Sequence, residues 1–146
     1  MHSHQLRTLR IAVTVRQVMD GVVAIGSGQT VSQGIDKMVQ TGAWSLLVER
    51  QGLPVGVITD RDILRRCSAM GHYPDKMKVE EIMSSPVITI EPDMRAGEAL
   101  KTMIDKSVRR LYVLEGGKII GRVTNAGLSR NLLEVLIALD HIAHQL

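Results

Sequence analysis

Thr59 and Asp62 stand three residues apart where an apolar run, Pro54 to Thr59, gives way to a helical pattern. At a helix start, that spacing puts a hydroxyl and a carboxylate into the first turn, beside unpaired backbone N–H groups and the positive end of the helix dipole. A carboxylate there can accept hydrogen bonds from both hydroxyls of a sugar diol, while the N–H groups and a cation such as Arg61 receive a phosphate. The same pair is also a capping box, which does no more than close off a helix. A lone match does not separate the two. The stretch Gly56-Val57-Ile58-Thr59-Asp60-Arg61-Asp62, however, has a counterpart that begins at Gly121 and keeps Thr124.

Other chemistry-bearing residues point nowhere in particular. Cys67 is the only cysteine. It excludes an internal disulfide, fits a reducing compartment and sits within a helical pattern as a structural thiol. His141 and His144 share a helix face without a carboxylate or cysteine to complete a metal site, and His2 and His4 lack a third ligand. Gly26-Ser27-Gly28 is a turn and not a phosphate loop, because no Lys-Ser/Thr follows at the required spacing. With no nucleophile–base pair and no metal triad, an enzyme is not expected.

Composition narrows the classes further. The 146 residues, 45% hydrophobic, suffice for one ordinary domain or two very small ones sharing a core. Trp44, Tyr73 and Tyr112 are the only aromatics, so the core is aliphatic and methionine-rich and offers no stacking platform for single-stranded nucleic acid. The net charge of +3 suits an anionic ligand. Arg65, Arg66, Arg109, Arg110 and Arg122 are scattered and form no nucleic-acid stripe. No run is long enough to span a membrane and no signal segment is evident, which predicts a cytoplasmic protein.

The elements that must position Thr59 and Asp62 recur in order. Thr14 to Met19 is a predicted short helix with Gln17 completing a capping box on Thr14. Val22 to Ile25 is a predicted strand and Val31 to Gln40 a helix ending at Gly42. Ser45 to Val48 and Pro54 to Thr59 are strands, and Asp60 to Met70 is a helix ending at Gly71. A polar connection containing Pro74 follows. The plan then repeats: Val79 to Met83, Pro86 to Ile90, Gly97 to Lys106 with Leu100, Met103 and Ile104 facing inward, Leu111 to Leu114, a hairpin turn at Glu115 to Lys118, Ile119 to Thr124, and a helix onward from Asn125. The offset is 64 at first (Met83 against Met19) and 65 later (Gly121 against Gly56). The final helix is longer than its counterpart and carries an apolar stripe at 132, 133, 136, 139, 143 and 146.

This duplicated pattern resembles a tandem pair of cystathionine β-synthase (CBS) domains, also called a Bateman module, of the stand-alone type. The resemblance rests on Ile82-Met83-Ser84-Ser85-Pro86-Val87-Ile88-Thr89, on Arg110-Leu111-Tyr112-Val113 and on the Gly56 to Asp62 stretch, and it covers about residues 14 to 139. It implies an α/β (α+β) fold of two pseudo-symmetric β-α-β-β-α repeats packed sheet to sheet, with an extra C-terminal helix. The expected divisions are an N-terminal extension at 1–13, repeats at 14–73 and 78–139, and a helix end at 140–146.

The resemblance also implies regulation: a cleft between the repeats binds AMP, ADP, ATP, NAD or a related adenosine ligand, with no cofactor required. Carried over residue by residue, Thr59 and Asp62 would hold ribose or phosphate. Val87, Ile88 and Thr89 would frame the base, and Arg110 would meet the phosphate, with Arg61 as a second phosphate candidate. The other cleft departs from the pattern. Thr124 and Asn125 are present, but Gly127 replaces the carboxylate and Ser45 stands where Arg110 stands in the second half, so one competent site per chain is expected. A homodimer is implied, with Ile63, Leu64 and the Leu132 to Leu139 stripe as contact candidates, and an unidentified downstream protein would read the ligand state. The alternative is a dimerisation or protein-binding element with no small ligand.

Overall fold

The computed structural model describes residues 13–145. The extension with His2 and His4, apart from Val13, and Leu146 of the apolar stripe lie outside them. In chain order the elements are α1 (Val15–Val18), β1 (Ala24–Gly26), α2 (Val31–Thr41), β2 (Ser45–Arg50), β3 (Leu53–Thr59) and α3 (Asp60–Ile63), which runs on as a π-helical turn over Leu64–Ser68. They continue with α4 (Val79–Ile82), β4 (Thr89–Ile90), α5 (Ala96–Lys106), β5 (Arg110–Glu115), β6 (Lys118–Thr124) and α6 (Asn125–His144).

Two compact units result, and each is a mixed α+β body around one three-stranded sheet. One unit, residues 22–88, has strand order β1-β2-β3; β1 and β2 are parallel across the α2 crossover, and β2 and β3 form an antiparallel hairpin. The other unit combines residues 13–21 with residues 89–145, and repeats that topology as β4-β5-β6. Even the irregularities are copied. The ladder slips between Val48 and Glu49 in one hairpin and between Val113 and Leu114, 65 residues on, in the other.

Local chemistry fixes the turns. Gln51 and Gly52 (φ 53° and 77°) close the first hairpin, and Gly116 and Gly117 (φ 59° and 77°) the second; positive φ at both central residues gives the twist that strands require. Thr14 and Thr30 each cap a helix with a reciprocal glutamine, Gln17 and Gln33. Helix α2 ends on Gly42 in the left-handed region. In the first unit Leu46, Val48 and Ile58 of the sheet pack with Val31 and Met38 of α2, with Ile63 and Cys67, and with Val79 and Ile82 of α4.

That last contact shows an exchange that the order of the sequence did not reveal. The short helix preceding each repeat docks on the sheet of the other. Helix α1 joins the β4–β6 unit, where Val15 N–H donates to Met94 O at 2.8 Å, and α4 joins the β1–β3 unit, where Val79 N–H donates to Gln29 O at 2.9 Å. The residues after each helix then pair with the third strand. Val57 and Ser84 exchange two backbone hydrogen bonds at 2.9 and 2.8 Å; Asp20 and Arg122 do the same at 2.8 and 3.0 Å. A Cβ at Gly56 would lie 2.5 Å from Met83 Sδ, and one at Gly121 2.6 Å from Met19 Sδ, so both glycines are required by the close approach of the exchanged segment.

Several expected details are corrected. Ile104 is 69% exposed, and the inner face of α5 is formed by Ala99 and Met103. Ile63 lies in the core and is not available as a contact surface, whereas Leu64 is exposed. The strand expected from Pro86 is reduced to Thr89–Ile90, so Val87 and Ile88 precede it. The helix expected over Asp60 to Met70 widens to a π turn after its first four residues.

Candidate functional site

Thr59 ends β3 and caps α3. Its Oγ1 accepts from Asp62 N–H at 3.1 Å, and Asp62 Oδ2 accepts from Thr59 N–H at 3.0 Å. The expected capping box therefore forms. Asp62 is 9% exposed, and its Oδ1 accepts from Ser84 Oγ at 3.3 Å and lies 4.0 Å from Arg66 Nε. Arg66 is itself anchored by donating to the carbonyls of Ile82 and Met83, both at 3.1 Å. An ionised carboxylate offers about four acceptor positions. Two are occupied here, which leaves room for a sugar diol.

The backbone contributes less than the sequence suggested. The amides of Asp60, Arg61 and Asp62 are engaged by Trp44 O at 3.1 Å, Asp60 Oδ1 at 2.9 Å and Thr59 Oγ1 at 3.1 Å. A phosphate at this pole must therefore be met by side-chain cations, and Arg61 is exposed at the helix start.

Of the other expected site residues, Val87 and Ile88 belong to the same unit as Asp62 and are half-buried, while Thr89 and Arg110 belong to the other unit. Arg110 is the register partner of Thr124, so the two share a face of the β5–β6 ladder. Its Nε is buried without an acceptor among the described residues. Thr124 caps α6 as Thr59 caps α3, with Oγ1 accepting from Gly127 N–H at 3.0 Å. Asn125 is exposed, and its N–H is taken by Arg109 O at 2.9 Å.

One participant was missed. Asp20, in the exchanged segment, brings its Oδ2 to 3.5 Å from where a Cβ of Gly127 would stand. Asp20 occupies the position of Ser84, 64 residues earlier. The first unit thus has serine on the exchanged segment and aspartate in the helix; the second has aspartate on the segment and glycine in the helix. Aligning the two repeats would have shown the substitution, but only knowledge of the exchange places Asp20 beside α6.

Each exchanged helix also carries an ion pair. Arg50 Nη2 of β2 meets Glu80 of α4 at 2.8 Å, and Arg16 of α1 meets Glu115 of β5. Hydrogen bonding to the arginine, first among the causes, holds the Glu80 and Glu115 carboxyls below the ordinary glutamate range. Cys67 is fully buried, with Sγ 3.6 Å from His72 O; burial raises its pKa, in keeping with a structural thiol. Among the described residues no cluster of three histidine, cysteine, aspartate or glutamate side chains could hold a metal, and no helix is long and apolar enough to cross a membrane.

The family model for the CBS domain matches the chain twice, over residues 15–69 and 79–134. The chain belongs to the CBS domain family. Its two copies make it a CBS domain pair, a module that is in general regulatory and ligand-binding. It is 40% identical over 116 residues to an uncharacterised protein of Methanopyrus kandleri, an alignment that covers 77% of this chain and 59% of that protein. The chain thus spans about three fifths of the length of that relative. Among solved structures it resembles a proposed signal-transduction protein with CBS domains from Burkholderia ambifaria (TM-score 0.78, 27% identity, 84% of this chain and 95% of that one). It also resembles a hexameric CBS-CP12 protein from bloom-forming cyanobacteria (TM-score 0.75, 26% identity, 81% and 67%). These similarities indicate no catalytic family.

Proposed function

We propose that this CBS pair is a non-catalytic sensor whose ligand is an adenosine-containing nucleotide of the AMP, ADP, ATP or NAD class. The observation that carries this reading is Asp62: a nine-tenths buried carboxylate, fixed at a helix start by two hydrogen bonds and retaining acceptor capacity. Thr59 and Asp62 take the ribose. Arg61 supplies charge for phosphate, and Val87 and Ile88 frame the base. A ligand of about 23 heavy atoms at roughly 0.3 kcal/mol each gains about 7 kcal/mol. That is a dissociation constant on the order of 10 μM, suited to an abundant metabolite. Calorimetry with AMP, ADP, ATP and NAD tests the assignment. Asp62→Ala is expected to weaken binding by about 2–3 kcal/mol, through loss of two charge-assisted hydrogen bonds. Unchanged affinity rejects the ribose clamp.

The partner surface rests on a separate observation. Leu132, Leu133, Leu136, Ile137, Leu139 and Ile142 of α6 are each more than half exposed. Beside them an apolar hollow of about 310 Å³ lies between Val13 and Val18, Gly97 and Leu100 of α5, and Leu128 and Leu132 of α6. Six such side chains, half exposed, present roughly 500 Å² of apolar surface, a patch of the size that often marks an interaction site. We propose that a second copy of the chain covers it. Leu136→Asp is expected to halve the mass measured by light scattering, and an unaltered assembly would place the contact elsewhere. If no nucleotide raises the melting temperature while Leu136→Asp still dissociates the protein, a ligand-free dimerisation element is the remaining description.

A further inference from the structure

Three differences between the units fall at one place. At positions 62 and 66 the first unit has aspartate and arginine; 65 residues on, the second has Gly127 and Asn131. The helix bearing Asp62 widens into the π turn of Leu64–Ser68, where Ala69 N–H donates to Leu64 O at 2.8 Å, whereas α6 runs through the equivalent positions as a regular α-helix. Single π turns are rare and occur frequently at functional sites. Arg66, inside this turn, spans two partners. Its Nη1 donates to the carbonyls of Ile82 and Met83, each at 3.1 Å, and its Nε lies 4.0 Å from Asp62 Oδ1. Those carbonyls stand at the end of α4, where a helix leaves acceptors without internal partners and favours a cation. Asn131 instead donates back to Gly127 O within its own helix at 3.0 Å. Ser84, next along from Met83, donates to the same Asp62 Oδ1 at 3.3 Å while its backbone pairs with Val57. Two side chains thus tie the acid to the docked segment, and in the second unit acid and arginine are missing together.

We infer that Arg66 is a positioning residue of the Asp62 site: it joins the carboxylate that takes the ribose to the end of α4, so that nucleotide binding and the docking of α4 strengthen each other. This rests on the proposed nucleotide reading and adds the element through which occupancy leaves the site. By linkage the effect is reciprocal. The factor by which bound nucleotide steadies α4 is the factor by which docked α4 raises the affinity.

Two measurements on the full chain test it: calorimetric titration with AMP and with ATP, and amide exchange at Val79 and Ser84 with and without a saturating amount of the tighter of the two. Those amides donate to Gln29 O and Val57 O, bonds that exist only while α4 and its following residues are docked. In wild type the nucleotide is expected to slow their exchange roughly 5-fold or more, the low end of ordinary coupling between sites. Arg66→Met should weaken binding by the same factor and abolish the nucleotide-dependent slowing. Arg65→Met, the same loss of charge one residue away, should alter neither. Arg66→Lys keeps the charge but gives up the planar fork, so it should fall between wild type and Arg66→Met on both readouts. A purely structural arginine behaves differently: its loss speeds exchange equally with and without nucleotide and leaves the affinity unchanged. That result overturns the inference while the Asp62 assignment stands. Should Arg66→Met fail to fold, Arg66→Lys decides, and wild-type affinity and slowing in that variant overturn the inference. No heat with either nucleotide removes the nucleotide reading, and the inference with it.

Discussion

The two units share topology, turn chemistry and even a ladder slip, yet they differ in sign at the joints where the short helices dock. In the first unit the hairpin offers Arg50 and the docked helix offers Glu80; in the second the hairpin offers Glu115 and the helix Arg16. Arg50 and Glu115 are equivalent positions, as are Arg16 and Glu80, so the pair is kept and its polarity reversed. A similar reversal affects the acid: helix-borne at Asp62 in one unit, segment-borne at Asp20 in the other. The inverted ion pairs favour the observed exchange by a modest amount. Were each short helix to dock on its own repeat's sheet, Arg16 would face Arg50 and Glu80 would face Glu115. Like charges at close range penalise that arrangement, while the observed one gains two attractive pairs.

The comparison breaks most visibly where the units are most alike. A side chain at Gly56 would meet Met83 Sδ at 2.5 Å and Ser84 O at 2.9 Å; one at Gly121 would meet Met19 Sδ at 2.6 Å and Asp20 O at 3.1 Å. Methionine can yield, but the carbonyls are held by the paired strand bonds. Gly56→Val and Gly121→Val are therefore each expected to cost about 3 kcal/mol. Thermal denaturation should show nearly equal losses, and a loss in one unit alone would show that the copies are not docked equivalently. Gly97→Ala is the control: nothing lies within 4 Å, so stability should hold or rise.

The two acids should separate next. Asp62 closes a capping box and accepts from Ser84, so Asp62→Ala is expected to cost about 1–2 kcal/mol of stability apart from any effect on binding. Asp20 is exposed and closes no helix, so Asp20→Ala should stay within about 0.5 kcal/mol. Denaturant melts without nucleotide measure both. Equal losses would make Asp20 a structural cap for α6.

How much of this could be read from residues alone follows from the range of each interaction. Thr14 with Gln17, Gly42 and the Gly116-Gly117 turn act over a few positions, and each was legible. So was the duplication, which the two CBS matches confirm. The exchange was not legible, because Val15 with Met94 and Val79 with Gln29 are pairings over long separations that no local pattern encodes. Ile104 was misplaced because its helix has a broad apolar arc, of which the sheet covers only the side bearing Ala99 and Met103. Thr59 and Asp62 were found as a local motif. Asp20 was missed because its partner position lies across the sequence at Gly127.

The ion pairs allow a test with matched charge. Arg16→Glu/Glu115→Arg reverses one pair and keeps it attractive; Arg16→Glu/Glu80→Arg changes as many charges by the same net amount but sets like against like at both joints. The first is expected to melt near wild type and the second below it, with faster amide exchange in α1 and α4. Side chains this exposed contribute modestly, so the contrast between the doubles is the informative quantity. Identical melting would remove the ion pairs from the account of the exchange.

The smallest effect is the pH dependence of the same joints. Glu80 and Glu115 have folded-state pKa values depressed by their arginines, so their contribution is present above the ordinary glutamate pKa and is lost as pH falls through the depressed values. The arginines stay charged throughout. The difference in melting temperature between wild type and Arg50→Met should therefore be largest near neutral pH and close up in acid, and that for Arg16→Met should follow the same course. Glu80, with its side chain 29% exposed against 47% for Glu115, is the better shielded from solvent, so the Arg50→Met difference should be the larger and the less reduced by salt. A difference that persists at low pH would mean that the arginine stems stabilise the docked helices by packing, with polarity playing no part in the exchange.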